Sequence, residues 1–128
     1  MKLINIVYGT NRVRIDEQVN TLVKDYLSEV DDFNKIVLDY NDTTVEAIIE
    51  EAQTLPFLSD KKAIIIQNAT LFTALRAKNT VDHNIDLMIN YIENKEDDTL
   101  LVFSVQSENL DNRKKLLRLR KQMVIFLK

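Results

Sequence analysis

The chain has no cysteine and no tryptophan, and only one histidine, one glycine and one proline among its 128 residues. Without thiols there is no disulfide framework, no thiolate nucleophile and no cysteine-ligated zinc. A lone histidine, His83, removes most imidazole-based catalysis. No apolar run approaches the ~20 residues that a membrane helix needs, and the first residues open into a strand-like segment rather than a signal peptide. The expectation is a cytoplasmic protein with no membrane partner. The formal net charge of −3 is mild, so any surface for nucleic acid must be local. What is present is ordinary globular composition, 45% hydrophobic and 29% charged, in a length that suits one domain with its own core.

Residues 3–7 are short, apolar and rich in β-branched types and lead into Tyr8-Gly9, which reads as a buried strand closed by a turn. Over residues 12–30 the apolar positions Ile15, Val19, Leu22, Val23, Tyr26, Leu27 and Val30 form one stripe of a helix. Residues 32–38 read as a second strand. Thr43 and Glu46 have the spacing of a capping box for a helix that begins at Thr44, carries Val45, Ile48, Ile49 and Ala52, and stops before Pro56. Residues 62–67 are continuously apolar from Ala63 to Ile66, as a strand covered on both faces requires. Residues 68–83 read as a short helix and an exposed loop. Ile85, Met88, Ile89 and Ile92 mark a further helix, and residues 100–105 a fourth strand. Asp111 is expected to cap a basic helix running through Gln122, before a fifth strand over residues 124–127. Strands alternating with helices imply an α/β fold, a five-stranded, mostly parallel sheet between helix layers. Ending on a strand with no helix after it, the chain is expected to be the first domain of something longer.

In such a fold a phosphate sits at the first strand, turn and helix, held by loop amides and the helix N-terminus. Laying the pattern G-x-x-x-x-G-K-[ST] on Gly9 puts Arg14 at the second glycine, Ile15 at the lysine and Asp16 at the Ser/Thr. Arg14 cannot give the close backbone approach that glycine allows, Ile15 brings no cation, and Asp16 sets a carboxylate where phosphate oxygens would come. A nucleotide site of this kind also needs adjacent acids at the end of an apolar strand, to hold Mg²⁺ and orient water. Here Ile64-Ile65-Ile66 ends in the amides Gln67-Asn68, which are weak Mg²⁺ ligands and no general base. No ATP, metal or other cofactor is expected. The residues alone leave open whether this is a nucleotide fold without its chemistry or a fold that never had it.

Leu55, Phe57 and Leu58 form an apolar run at a helix end, between Gln53-Thr54 and Asp60-Lys61-Lys62. Such a run either pins the loop on its own core or forms a plug for a partner's pocket. Arg113, Lys114, Lys115, Arg118, Arg120 and Lys121 make a local basic patch with no acid among them. It reads as a solvated face, a contact with DNA, or a dock for a neighbouring subunit. His83, beside Asp82, reads as surface, and Asp31-Asp32 and Glu50-Glu51 as solvated acids. From residues alone two further function classes stay in view, a nucleotide-dependent phosphotransferase with an unorthodox loop and a small DNA-binding domain using residues 113–121.

Three stretches resemble the N-terminal domain of the delta subunit of the bacterial DNA polymerase III clamp loader. They are Val7-Tyr8-Gly9 leading into a long first helix, the run Ala52-Gln53-Thr54-Leu55-Pro56-Phe57-Leu58-Ser59-Asp60-Lys61-Lys62, and Leu100-Leu101-Val102-Phe103 followed by Leu110-Asp111-Asn112-Arg113-Lys114-Lys115. The resemblance implies domain I of that subunit over residues 1–128, with a P-loop NTPase fold of AAA+ or RecA-like type and a degenerate nucleotide site, the lid and collar domains lying outside this chain. It implies no ATPase activity in the domain itself, inside a DNA-directed DNA polymerase III holoenzyme that replicates DNA. Its partners would be the sliding clamp (beta), which it binds and opens through Leu55, Phe57 and Leu58, and the gamma/tau and delta prime subunits. DNA would be met indirectly, through the complex.

Overall fold

The computed structural model describes residues 2–76 and 81–128. Its order is β1 (Ile4–Gly9), α1 (Arg12–Leu27), β2 (Lys35–Asp39), α2 (Val45–Gln53), β3 (Ala63–Gln67), α3 (Ile85–Asn94), β4 (Leu100–Gln106) and β5 (Met123–Leu127), with 3₁₀ turns at Thr70–Phe72 and Lys115–Gln122. The strands form one sheet in the order β2-β3-β4-β1-β5, and every neighbouring pair is parallel. The α/β reading holds, and the sheet is parallel throughout.

Alternation along each strand divides the core in two. Val7, Ala63, Ile65, Leu100 and Val102 face α1, against Ile15, Val19, Val23 and Tyr26. Ile4, Ile6, Ile64, Ile66, Leu101 and Phe103 face the other way, toward Ile48 of α2, Met88 and Ile92 of α3, and Leu116 and Leu117. A sheet covered on both faces needs apolar residues at consecutive positions, which is why β3 and β4 read as unbroken runs.

The boundaries depart from the sequence reading where a local hydrogen bond decides. Helix α1 stops at Leu27 rather than Val30, because Ser28 turns to φ 65° and donates its N–H to the Lys24 carbonyl. The second strand starts at Lys35, since Asp31 accepts from the N–H groups of Phe33 and Asn34 and holds those residues in a turn. The α2 cap is Thr44, whose hydroxyl accepts from Ala47 N–H at 3.1 Å, so Thr43 and Glu46 form no capping box. No regular α-helix follows Asp111. Its carboxylate is bound to Arg113, backbone and side chain, and the basic stretch is a 3₁₀ segment kinked at Leu119. Met123 belongs to β5, not to that segment.

The region after β3 holds a 3₁₀ turn that buries Leu71 and Phe72. Of the exposed loop expected beyond it, residues 77–80 lie outside the described residues. His83 is not a surface residue. It is half-buried, stacked on the Tyr40 ring with centroids 3.7 Å apart, and its Nε2 lies within hydrogen-bond distance of the Tyr40 and Thr43 carbonyls. Burial pushes the Tyr40 phenol up to about 12.

Gly9 is the last residue of β1, at φ +148°, and a Cβ there would lie 2.3 Å from the Lys128 carbonyl carbon. Lys128 N–H donates to the Tyr8 carbonyl at 2.7 Å, so the edge strand β5 closes over this residue. Gly9→Ala should therefore lower the unfolding free energy by at least the ~1–3 kcal/mol typical of a strained backbone position, seen as a lower urea midpoint. An unchanged midpoint contradicts this packing.

Candidate functional site

Two regions matter, and they lie at opposite ends of the sheet. At the carboxyl end, β1 and β4 are neighbours whose onward connections cover opposite faces, α1 on one and the 115–122 segment on the other. That divergence is where open α/β sheets form a ligand crevice. Arg12 and Ile15 from α1, Gln67 at the end of β3 with Asn68 after it, and Ser104 and Gln106 of β4 line it. The start of α1 and the end of β3 therefore meet in space, although Arg12 rather than Arg14 faces the cleft.

The crevice is closed by its own residues. Its cavity is ≈ 10 Å³, about the space of one water. Gln106 Nε2 donates to the Thr10 carbonyl at 3.1 Å, and Ser107 N–H to the Gly9 carbonyl at 2.9 Å, tying the loop after β1 to the end of β4. The N-terminus of α1 is capped from within, Asn11 accepting from Arg14 N–H at 3.2 Å. Ile15 is buried in the α1 core, and Asp16 pairs with Arg12 at 3.3 Å. Asn68, at φ 55°, donates to the Asp39 carboxylate at 3.0 Å. A triphosphate would meet neither a cradle of open amides nor a free cation lining this cleft, so the residues do not fit nucleotide or Mg²⁺. Among the described residues no cluster of acids or histidines has the arrangement of a metal site.

At the amino end, the loop between α2 and β3 presents Leu55, Phe57 and Leu58, which are 86%, 62% and 79% exposed. None of the three pins the loop on its core. The loop's base is pinned instead by Lys62, whose side chain is 3% exposed. Its Nζ donates to the Glu51 carbonyl and, at 2.6 Å, to the Thr54 carbonyl, with Glu51 Oε1 3.8 Å away. The Thr54 carbonyl at the helix C-cap gains its partner from this ammonium, the Glu51 carbonyl gains a second beside Thr54 N–H at 3.3 Å, and a cation suits the negative end of the dipole. Thr54 and Thr99 complete the set, the Thr54 hydroxyl donating to Glu50 O at 2.7 Å and the Thr99 hydroxyl to Ala52 O at 2.6 Å. Farther along, Lys61 lies over the Tyr26 ring at 4.6 Å, and Leu58 sits at φ 56°.

The sequence reading missed Phe33. It is 54% exposed on the loop before β2, and its ring meets Phe57 edge-on at 5.4 Å. A single phenylalanine between Asp32 and Asn34 gives no apolar run. Only the fold brings it to residues 55–58.

None of the basic residues at 113–121 lines the crevice, although Arg113 lies across a neighbouring surface pocket from Gln106 and Ser107. Arg113 is engaged by Asp111, whose carboxyl it holds down at about 2. Lys114 reaches the Leu71 carbonyl at 3.4 Å, and Arg120 bonds Asn112. Lys115, Arg118 and Lys121 are exposed along the segment. Among the described residues no helix is long and apolar enough to cross a membrane.

Comparison with known proteins gives one family. The model of the DNA polymerase III, delta subunit family matches residues 6–128. The chain is similar to DNA polymerase III subunit delta of Bacillus subtilis strain 168, 27% identical over 122 residues, a span of 94% of this chain and 35% of that protein. Its fold is similar to that of the Bacillus subtilis DNA clamp loader delta protein, with a TM-score of 0.82 at 24% identity, over 98% of this chain and 38% of that one. The chain thus spans little more than a third of the length of either relative.

Two outcomes follow from this geometry. Titration with Mg²⁺-ATP in a calorimeter should give no saturable heat, and binding at micromolar concentrations would mean that the crevice opens. Lys62→Met should cost about 1–3 kcal/mol by leaving the Thr54 carbonyl without this donor and stripping the second bond from the Glu51 carbonyl, and should speed amide exchange over residues 54–61. A variant with unaltered exchange there would mean that Lys62 does not hold the loop.

Proposed function

The chain belongs to the DNA polymerase III delta subunit family, and on that premise we propose that it is the non-hydrolysing domain of a clamp-loader subunit, which binds and opens the sliding clamp through Leu55, Phe57 and Leu58. The observation that carries the reading is the exposure of those three side chains together, on a loop whose base is fixed by a buried cation. Apolar side chains grouped at a loop tip lose most of their contact with water only when a partner covers them. Seated in an apolar pocket, Leu and Phe each contribute roughly 1.5–3 kcal/mol. A fixed loop base lowers the ordering cost of binding.

The closed crevice supports the same reading. With no room for a nucleotide, the domain takes its part by contact with the clamp and with other loader subunits, gamma/tau and delta prime, while ATP-hydrolysing members of the ring supply the chemistry. The parallel sheet, with its crevice beside β1 and β4, supports a P-loop fold of AAA+ type whose nucleotide site is degenerate. Residues 1–128 then constitute domain I of a longer subunit, acting in the DNA polymerase III holoenzyme. DNA is reached through the complex, and the exposed Lys115, Arg118 and Lys121 stand as a surface for a neighbouring subunit.

The test is the affinity for the sliding clamp of the same organism, measured by surface plasmon resonance. Phe57→Ala with Leu58→Ala should weaken binding roughly a hundredfold or more, and the wild-type affinity should change little with salt. Undiminished binding by the double variant refutes the assignment of the loop. An affinity that falls steeply with salt and depends on residues 113–121 instead indicates an electrostatic surface.

A further inference from the structure

The apolar surface at the amino end of the sheet is built from two loops. Phe33 stands at the tip of the segment between α1 and β2, and the Phe33–Phe57 edge-on pair joins it to the 54–62 loop. Phe33 is exposed because its neighbours are tied down. Asp31 Oδ1 accepts from Phe33 N–H at 2.7 Å and from Asn34 N–H at 2.9 Å, while Asp31 N–H donates to Asn34 Oδ1 at 2.8 Å. Asn34 is 3% exposed. Its Nδ2 donates to the Glu29 carbonyl at 2.8 Å, and its own carbonyl accepts from Ala63 N–H at 2.8 Å. Ala63 follows Lys62, which pins the other loop. One buried stretch, Lys62-Ala63, therefore holds both loops, and it fixes the distance between the two rings.

We propose that Phe33 is a second anchor of the clamp-docking surface, entering with Phe57 the same apolar pocket of the clamp. The proposal rests on the assignment of residues 55–58 to clamp binding, and it adds a residue from a separate part of the chain. An edge-on aromatic pair is stabilised most when water is excluded from its surroundings, and here both rings are more than half exposed, 54% and 62%. The groove between the loops carries Glu29, Asp31, Leu58, Asp60 and Lys61. With Lys61 over the Tyr26 ring, acids dominate the border. The complementary pocket is apolar, wide enough for two rings, and bordered by neutral or basic groups. Preorganised aromatic anchors of this kind carry much of an interface's affinity.

The experiment compares wild type, Phe33→Ala, Phe57→Ala, the Phe33→Ala/Phe57→Ala double variant and Val13→Ala against the immobilised clamp of the same organism. Val13 is also exposed, but it lies on α1 at the opposite end of the sheet. Phe33→Ala should weaken binding about tenfold and Val13→Ala not at all, with unfolding midpoints close to wild type for both. The double variant should lose less than the product of the two single losses, because each single change already breaks the ring pair. If Phe57→Ala weakens binding while Phe33→Ala stays within about twofold of wild type, the proposal fails and the assignment of residues 55–58 stands. If Phe57→Ala binds like wild type, or if the wild-type chain does not bind the clamp, that assignment fails and the proposal with it.

Discussion

The arrangement at the amino end of the sheet depends on one buried ammonium group. Lys62 is taken out of water immediately before β3, at a cost that the α2 carbonyls and the nearby Glu51 carboxylate must offset. The offset works because a helix C-terminus offers what a buried cation needs, carbonyls with acceptor capacity to spare and the negative end of a dipole. The consequence extends beyond the ion. The end of α2, the start of β3 and, through the Ala63–Asn34 hydrogen bond, the turn before β2 become one rigid base. Loops that leave such a base have little freedom to fold their apolar tips back onto the core.

The same strand connects two regions of opposite character. β3 begins at the base that presents Leu55, Phe57 and Leu58, and it ends at Gln67 in the closed crevice. The crevice is filled by residues that make structural sense without a ligand. Ile15 adds to the α1 core, Asp16 satisfies Arg12, Asn11 caps the helix that would otherwise face phosphate, and Gln106 ties down the Thr10 carbonyl. Gly9 keeps its place for a separate reason, since the Lys128 backbone passes where its Cβ would be. A glycine at the phosphate-loop position is thus accounted for by strand packing alone.

Much of this was legible in the sequence. Continuous apolar runs gave the doubly covered strands β3 and β4, and helical spacing gave α1, α2 and α3, because burial periodicity is a direct imprint of the fold. Laying nucleotide-site patterns on the chain grouped Gln67-Asn68 with the segment after Gly9, and the sheet order brings Gln67, Asn68 and Ile15 to one cleft, with Arg12 in place of Arg14. What escaped was decided by side-chain hydrogen bonds with no periodicity. Asp31 holds a turn where a strand was expected, Thr44 caps in place of Thr43, and Asp111 takes Arg113 instead of a helix N-terminus. Asp, Thr and Asn can each bond their neighbours' backbone in several ways, and composition does not select among them. Phe33 escaped for a different reason, as its partner Phe57 is distant along the chain.

Leu58 bears on whether the exposed loop is shaped for a partner or simply left over. A non-glycine residue at φ 56° costs free energy that packing normally recovers, yet the Leu58 side chain is 79% exposed and recovers little. The neighbouring contacts hold the turn without sheltering the leucine. Ser59 donates to the Lys61 carbonyl at 3.0 Å, and Lys61 rests on Tyr26. The left-handed turn at Leu58 therefore contributes little to the domain's own core. A strained backbone that orients an unburied leucine, next to an aromatic pair on a fixed base, is what the proposed docking role calls for, since burial against a partner would recover the cost that the free domain bears.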